Sequence, residues 1–270
     1  MRRLISAVSL AAVLCVVGAV AAAQGPPSTV TVSATATAIT GPAAPVAPGA
    51  TRFVFSSTDA KIEFSVFLAA LEPGRTVDEV TAAMHASPGR ALELVQVAAS
   101  ATLAPGAQRA ITVEIKPNTT YLLVNDGGSQ DPGDIVTSQL ATGGVATGAV
   151  APSPDAEVRM RDLRFGGDRT LPRRGTVRVS NVGWAPHFAL AIPLRKGARR
   201  TAVGRALLHS SERVLNRLLN FSRASELTNI LSRGASADQE IRFGKSGRHV
   251  LVCFFERHDA QGMYRFVTVG

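Results

Sequence analysis

Cysteine, histidine and methionine occur together in one short stretch near the end of the chain. The stretch runs from Cys253 through His258 to Met263, with four residues between successive members. A further histidine, His187, follows the sequence Trp-Ala-Pro upstream. Thiolate and thioether sulfur are soft ligands, and imidazole suits several transition metals. Soft sulfur combined with imidazole favours copper, so these four side chains form a candidate metal site.

Each of these residues also has a simpler interpretation. Cys253 is the only cysteine after residue 23, and a thiol without a disulfide partner can be an inert core residue. A single histidine such as His187 at a strand edge is often structural or solvated, and Met263 after a glycine can simply fill a core. The joint order and spacing of the four residues favours the metal site over these separate explanations.

The first 23 residues have the pattern of a secretory signal peptide. The basic start Met1-Arg2-Arg3 leads into an apolar run from Leu4 to Val20, and three alanines precede Gln24. Cleavage is expected after Ala23. Later apolar runs are broken by proline, glycine or charge, so we expect no transmembrane segment in the mature chain. The sequence therefore predicts a secreted, periplasmic or cell-envelope protein.

Charge is distributed unevenly along the chain. Residues 24–154 contain 6 Lys or Arg and 10 Asp or Glu, whereas residues 155–270 contain 21 and 10. A basic surface of this kind attracts an acidic redox partner or an anionic envelope surface through screened electrostatics. A solvated surface that only confers solubility is the alternative. Nucleic acid is not expected as a partner, because the chain carries an export signal and no recognisable nucleic-acid-binding motif.

The composition divides the chain into two segments and a connector. Residues 127–154 are rich in glycine, alanine, threonine, serine and proline without sustained periodicity, which predicts a flexible linker. On either side, residues 24–126 and 155–270 show the same order of short predicted strands and turns. Short strands separated by turn signals are typical of β-sandwiches. We therefore expect an all-β fold with two sandwich domains in tandem.

One stretch of each segment aligns without a gap. Val113 to Asn125 aligns with Ile241 to Cys253, so that Asn125 stands where Cys253 does. The region of the first segment that aligns with His187 offers residues 61–63, which include no histidine. If the segments are a duplication, the first is expected to keep the scaffold without the metal site.

A helical pattern interrupts the second segment between Thr201 and Ser232. Leucine and valine recur there at helical spacing with arginines between them, which predicts an inserted amphipathic helix and a second short helix from Ser225 through Leu231. Docking of the apolar face against its own sandwich is the favoured interpretation. A helix lying on a membrane surface is the alternative, given the arginines on the polar face.

Three motifs of the second segment resemble those of the cupredoxins, the small blue copper proteins. The segment Asn181-Val-Gly-Trp-Ala-Pro-His187 is similar to the approach to the first histidine in plastocyanin. The strand His249 to Cys253 and the spacing Cys-x4-His-x4-Met, before a last strand from Tyr264 to Val269, resemble the rusticyanin and auracyanin types. The resemblance covers about residues 155–270 with its motifs and about residues 29–125 as scaffold only. It implies Greek-key β-sandwiches with the site at one end.

The resemblance also implies a ligand set and a function. His187, Cys253 and His258 are expected in a trigonal plane with Met263 as a long axial ligand, together holding one type 1 copper ion. A closed site with four ligands leaves no position for a substrate, so we expect single-electron transfer and no enzymatic activity. The sequence contains no nucleophile elbow, no paired-carboxylate motif and no second histidine-rich copper cluster.

Two other functions stay open at this point. The first is a copper-free cupredoxin-like binding or structural module of the cell envelope that uses the basic half as a contact surface. The second is copper carriage without redox work. Two departures from the family bear on them: Phe188 follows His187 where many cupredoxins carry asparagine, and Glu256, Arg257 and Asp259 place three charges beside His258.

Overall fold

The computed structural model describes residues 25–129, 131–209 and 211–270, and the expected signal peptide lies outside them. We call residues 25–154 the first half and residues 155–270 the second half. Strands dominate both halves, as an all-β fold requires. The strands of the first half are β1 (Ser28–Thr35), β2 (Ala38–Thr40), β3 (Gly49–Ser57), β4 (Phe64–Leu71), β5 (Val95–Leu103), β6 (Gln108–Ile115), β7 (Tyr121–Asn125) and β8 (Val136–Leu140). Those of the second half are β9 (Ala156–Arg161), β10 (Arg164–Gly167), β11 (Thr170–Leu171), β12 (Arg174–Asn181), β13 (His187–Pro193), β14 (Ser225–Leu231), β15 (Ser236–Arg242), β16 (Gly247–Val252) and β17 (Tyr264–Val269).

The described helices are short and lie between strands. The α-helices are α1 (Val77–Ala86), α2 (Pro88–Ala91), α3 (Arg200–Leu208) and α4 (Glu212–Leu218), and single 3₁₀ turns cover Pro132–Asp134, Phe221–Arg223 and Phe255–Arg257. None of these helices has the length and hydropathy of a membrane span.

The strands form three sheets, one of which runs through both halves. Its eight strands follow the order β10-β9-β12-β15-β6-β3-β1-β2, so β15 of the second half pairs with β6 of the first. The facing sheets are β5-β4-β7-β8 in the first half and β11-β17-β16-β13-β14 in the second. One apolar core cluster contains buried side chains of both halves, among them Phe53, Val177 and Leu251. The two halves are therefore joined by a continuous sheet and a continuous core.

Polar contacts also tie the halves together beside the shared sheet. The Glu226 carboxylate accepts hydrogen bonds from the backbone N–H of Thr102 at 2.9 Å and from its hydroxyl at 2.6 Å. Arg52 donates to Glu240 at 2.9 Å across the β3–β6–β15 region. These contacts bring β14 and β15 of the second half against strands of the first. The division into domains at residues 126 and 155 stays a prediction.

Part of the predicted flexible linker is a strand. β8 lies within residues 127–154 and pairs antiparallel with β7, with Leu140 opposite Tyr121. Val46 forms a further bridge to Thr142. The prediction of a flexible linker does not hold for residues 136–140, because β8 pairs with the backbone hydrogen-bonding groups of β7 that would otherwise form an open sheet edge.

The predicted helical stretch between Thr201 and Ser232 is also only partly helical. Helices α3 and α4 occupy its start, but β14 covers Ser225 to Leu231 and pairs with β13. Leu227 and Thr228 are both fully buried although they are adjacent. Because β14 is covered by the second half on one side and by β5 on the other, its sequence lacks clean alternation and resembles a helical pattern.

The helices themselves pack against their own half, as expected. Val203 and Leu207 of α3 and Leu215 of α4 join Ile192 and Val250 in a second apolar cluster on the outer face of the five-stranded sheet. The apolar face of the helical insertion is thus covered by protein.

Candidate metal centre

The pairing of β13 with β16 brings the first predicted ligands together. Leu190 lies opposite Val252 in this antiparallel pair, so the next position places Ala189 opposite Cys253. His187 begins β13 and Cys253 directly follows β16. Two residues that are far apart in the sequence therefore meet at one end of the sheet.

The loop from β16 to β17 carries the other two predicted ligands and closes over that end. The His258 N–H donates to the carbonyl of Phe255, and the Met263 N–H donates to the carbonyl of His258, both at 2.8 Å. The Cys253 N–H donates to the Met263 carbonyl at 3.2 Å. These bonds fix where the loop leaves and re-enters the sheet. They hold Cys253 and His258 close together at this end of the sheet.

Two consecutive residues of this loop adopt left-handed backbone conformations. Glu256 has φ of 45° and Arg257 has φ of 61°. Positive φ is uncommon for residues other than glycine, and it concentrates at functional sites. The loop conformation sets the position of Phe255, whose ring lies 5.8 Å from that of His258.

Three of the four predicted ligands converge in a buried cluster. The Nδ1 atoms of His187 and His258 lie 3.2 Å apart, and Cys253 Sγ lies 3.6 Å from His258 Nδ1. All three donor atoms lie within 4.8 Å of one another. His187 and Cys253 are fully buried and His258 is 7% exposed. Within the described residues, the one place where three or more neighbouring histidine, cysteine or carboxylate side chains could hold a metal ion is this group of two histidines and one cysteine.

The spacing of these donors fits a single first-row metal ion. A tetrahedral ion that binds nitrogen at about 2.0 Å and sulfur at about 2.3 Å holds two nitrogens about 3.3 Å apart and a nitrogen and a sulfur about 3.5 Å apart. The observed separations of 3.2 and 3.6 Å match these values. One thiol and two imidazoles form a soft donor set that suits copper.

The surroundings of Cys253 explain why its sulfur needs a cation. Burial raises the pKa of the Cys253 thiol, while backbone N–H groups of Phe188 and Phe255 donate to the sulfur and oppose that rise. The nearby Asp259 carboxylate raises the pKa further. A thiolate in this position is therefore costly without a bound cation. The backbone of Phe188 contacts the sulfur even though its side chain is not the asparagine of many cupredoxins.

His187 has a hydrogen-bond partner that the sequence did not reveal. Its Nε2 lies 3.3 Å from Oδ1 of Asp162, in the turn between β9 and β10. Burial lowers the pKa of His187, as does the nearby His258, and Asp162 opposes both effects. An uncharged imidazole is the form that binds a metal. A lone aspartate 25 residues before the histidine carries no motif, so only the pairing of β9 with β12 identifies it.

Met263, the fourth predicted ligand, lies in the same core but stays a prediction as a ligand. Its side chain is fully buried and belongs to the apolar cluster that contains Cys253. The remaining histidines lie elsewhere. His85 and His209 are exposed, and His249 is buried against Phe243 with its Nδ1 at 3.0 Å from the Gly247 carbonyl.

The first half carries other residues at the corresponding positions. Val66 of β4 pairs with Asn125 of β7, and Ala189 of β13 lies opposite Cys253, which directly follows β16. By this register Phe64 occupies the place of His187, so the sequence alignment of residues 61–63 with His187 was wrong by at least one residue. Asn125 is fully buried, and its amide donates to the Thr35 carbonyl while its side-chain oxygen accepts from the N–H of Gly127. In the first half, the position of Cys253 is therefore occupied by Asn125, whose side chain hydrogen-bonds to the backbone.

Exposed apolar side chains surround the His187 end of the cluster. Trp184 is 74% exposed, Val182 is 54% exposed and Leu163 is 40% exposed. We call these three residues the apical patch. The guanidinium of Arg233 lies over the Trp184 ring, 3.5 Å from its centroid. The patch is within one residue of Asp162 and Gly183, both of which approach His187 closely.

Comparison with known proteins gives structural neighbours only. No family model and no curated protein matches the sequence. Auracyanin B is similar to 45% of the chain and 93% of its own length, at 23% identity and a TM-score of 0.29. A multicopper oxidase matches 90% of the chain and 88% of its own length at 15% identity and a TM-score of 0.28. The Cu-containing nitrite reductase from Thermus scotoductus SA-01 matches 91% of the chain and 68% of its own length at 14% identity and a TM-score of 0.25.

These neighbours correct one expectation drawn from the sequence. The prediction that the protein has no enzymatic activity was wrong as stated, because copper enzymes are among the structures similar to about nine tenths of the chain. A closed site with four ligands describes one centre and does not exclude enzymatic activity. The chain has an all-β, cupredoxin-like fold with a buried cluster of two histidines and a cysteine.

Proposed function

We propose that the protein binds one type 1 copper ion through His187, Cys253, His258 and Met263 and transfers single electrons there. The observation that carries the proposal is the convergence of two imidazole Nδ1 atoms and one thiol sulfur in a buried pocket. When bound, copper supplies a centre that alternates between two oxidation states. The chain supplies the donors, their spacing and the exclusion of water.

The packing of the donors supports a role in electron transfer. His187 and Cys253 are fully buried, and the strands that carry them are hydrogen-bonded to each other. Backbone N–H groups hold the sulfur and loop hydrogen bonds hold His258. A site with so little freedom keeps its donor positions in both oxidation states, which lowers the reorganisation that accompanies electron transfer. Met263 is buried in the same core and is the fourth donor of this proposal.

The apical patch is the proposed site of electron exchange with a protein partner. Its exposed Trp184 and Leu163 flank the residues that contact His187, so a partner bound there lies close to a ligand. Arg233 lies over the tryptophan ring, and the second half has an excess of Lys and Arg over Asp and Glu. We therefore propose a redox partner with an acidic rim, whose binding weakens as salt screens the charges.

The proposed location follows from the start of the sequence. The signal-peptide pattern of residues 1–23 supports a mature protein located outside the cytoplasmic membrane. The protein is then expected to bind its copper after export.

A visible spectrum of the copper-loaded protein tests the proposal. The mature chain with one equivalent of Cu(II) is expected to develop an intense blue or green colour, because a copper–thiolate bond absorbs visible light. Cys253→Ser is expected to remove the colour, whereas His85→Ala, which changes an exposed histidine outside the cluster, is expected to keep it. A colourless protein that retains no copper after gel filtration contradicts the proposal.

A further inference from the structure

Asp162 contacts the buried cluster of His187, Cys253 and His258 from the surface side. It follows β9 directly, and its carboxylate oxygen Oδ1 lies 3.3 Å from His187 Nε2. The same oxygen accepts hydrogen bonds from the backbone N–H of Trp184 at 2.8 Å and of Ala185 at 3.3 Å. The Asp162 side chain is 45% exposed, so the carboxylate connects the buried imidazole to the surface.

The loop before His187 is built around this carboxylate. The amide of Asn181, a fully buried residue, donates to the carbonyls of Ala185 and Leu231, both at 2.8 Å. Its side-chain oxygen accepts from the N–H of Gly183 at 2.9 Å. These three bonds fix the loop, so that the N–H groups of Trp184 and Ala185 point toward Asp162.

Gly183 shows how closely the loop, the carboxylate and the imidazole approach one another. A Cβ atom at this position would lie 2.6 Å from Asp162 Oδ1, 2.9 Å from the Asp162 nitrogen and 3.0 Å from His187 Nε2. Gly183 does not have a positive φ, so the requirement for glycine here comes from space and not from backbone conformation. Any side chain at residue 183 has to displace Asp162 or His187.

In the first half the position after the first strand is not acidic, and no histidine stands in the place of His187. Ala36 directly follows β1, which pairs with β3 in parallel, just as Asp162 follows β9, which pairs with β12 in parallel. The residues in the places of His187 and Cys253 are Phe64 and Asn125.

A different carboxylate holds the matching loop of the first half: Asp59 Oδ1 accepts hydrogen bonds from the N–H groups of Lys61 at 2.8 Å and Ile62 at 2.9 Å. Loop anchoring by a carboxylate is therefore common to both halves, whereas the contact of that carboxylate with an imidazole is found in the second half.

The hydrogen bond decides which nitrogen of His187 faces the cluster. An ionised carboxylate only accepts hydrogen bonds, so Nε2 has to carry the proton and Nδ1 has to carry the lone pair. Nδ1 is the atom 3.2 Å from His258 Nδ1. Asp162 Oδ1 accepts from the backbone N–H groups of Trp184 and Ala185 and lies beside His187 Nε2, and N–H donors arranged in this way favour the ionised carboxylate. A carboxylate bonded in this way also makes the imidazole a more basic ligand.

We propose that Asp162 is a positioning residue that holds His187 as the Nε2–H tautomer and that lowers the reduction potential of the copper bound at Nδ1. The second part rests on the proposed function. An electron-rich imidazole and a nearby negative charge stabilise the more highly charged oxidation state of the ion. Loss of the negative charge therefore raises the reduction potential. Loss of the hydrogen-bond acceptor lets His187 populate both of its neutral tautomers.

The first test uses the metal-free chain and does not depend on copper. Nitrogen NMR of the imidazole rings is recorded well above the pH at which histidine ionises, for the original chain and for Asp162→Ala. The original chain is expected to show His187 protonated at Nε2 alone, and the variant a mixture of tautomers. A His187 signal unchanged by Asp162→Ala overturns the positioning role.

The second test measures the reduction potential of the copper-loaded protein. Asp162→Asn is expected to raise the potential, because it removes the charge and keeps the size of the side chain. Glu157→Gln, which removes a charge on β9 without contacting His187, is the matched control and is expected to shift the potential much less. Equal shifts in the two variants overturn the tuning role. A chain that binds no copper contradicts the proposed function, and the NMR experiment then still decides the role of Asp162.

Discussion

The Nδ1 atoms of His187 and His258 lie 3.2 Å apart although the two residues are separated by 71 positions in the chain. β13 supplies the first histidine and the loop between β16 and β17 supplies the second. Two buried imidazoles this close need a shared hydrogen bond or a shared metal ion. The sulfur 3.6 Å from His258 Nδ1 completes a donor set that one metal ion can bind.

Removal of His258 is expected to abolish tight copper binding. His258→Ala leaves two of the three converging donors and opens a path for water beside the sulfur, so the visible band should disappear or shift to a weak one. Isothermal titration with a competing chelator measures the affinity, which is expected to fall by more than the about 100-fold that loss of an outer-shell partner can cost. His85→Ala is the control, because His85 is exposed and bonds only to the Ile135 carbonyl among the described residues. Equal affinity in the two variants contradicts the assignment of His258.

Met263 is expected to tune the potential more than it determines affinity. Met263→Leu keeps an apolar side chain of similar volume in the core and removes the thioether donor, so the protein should remain coloured with a higher reduction potential. Met263→Gln offers an oxygen donor that favours oxidised copper, so its potential should be lower than that of the original chain. Cyclic voltammetry compares the three proteins. The same potential in all of them would show that Met263 is not a ligand.

The contacts between the halves predict cooperative unfolding. β15 pairs with β6, and Glu226 accepts two hydrogen bonds from Thr102. Glu226→Ala leaves these donors unpaired at a partly buried site and is expected to lower the free energy of unfolding by about 1 to 3 kcal/mol. Glu93→Ala, at an exposed glutamate, is the control. Urea unfolding followed by circular dichroism measures both variants, and the original chain should unfold in one transition.

Two separate transitions in the original chain would argue that the halves unfold independently. A loss in Glu226→Ala no larger than that in Glu93→Ala would argue that the polar contacts between β14 and β5 add nothing to stability.

The helical insertion contributes to stability and not to metal binding. Leu207 is fully buried against the five-stranded sheet, whereas its neighbour Leu208 is 45% exposed. Leu207→Ala is expected to cost about 2 to 5 kcal/mol of unfolding free energy, and Leu208→Ala much less. Both should keep the copper spectrum at temperatures where they are folded. Equal destabilisation by the two variants would contradict the packing of α3 on the sheet.

The candidate ligands could be predicted from the sequence, but the residue that hydrogen-bonds to His187 could not. Cys253, His258 and Met263 could be identified because they are equally spaced within one short segment of the sequence. The predicted last strand, Tyr264 to Val269, is confirmed with the same bounds. Three of the four predicted ligands lie together in the structure. Asp162 could not be identified, because strand pairing alone brings a turn aspartate to His187.

Other differences come from contacts between distant strands. β14 is a strand because β13 and β5 cover it, and β8 is ordered because β7 offers it an edge. Local composition suggested a helix and a flexible connector in these places. Tertiary pairing overrides local preference where a segment is covered on both sides or completes a sheet. The pairing of β6 with β15, which joins the two halves into one sheet, could likewise not be predicted from the hydrophobic pattern of either half.

A one-electron titration of the copper-loaded protein measures whether a Cys253-bound copper ion exchanges single electrons. We expect one copper ion per chain and a thiolate absorption band that bleaches completely with one electron equivalent, returns on reoxidation and is absent in Cys253→Ser. Quenching of the fluorescence of Trp184, the single tryptophan of the chain and three residues from His187, should accompany copper binding. A protein that binds no copper, or a band that does not return after reduction and reoxidation, contradicts the account.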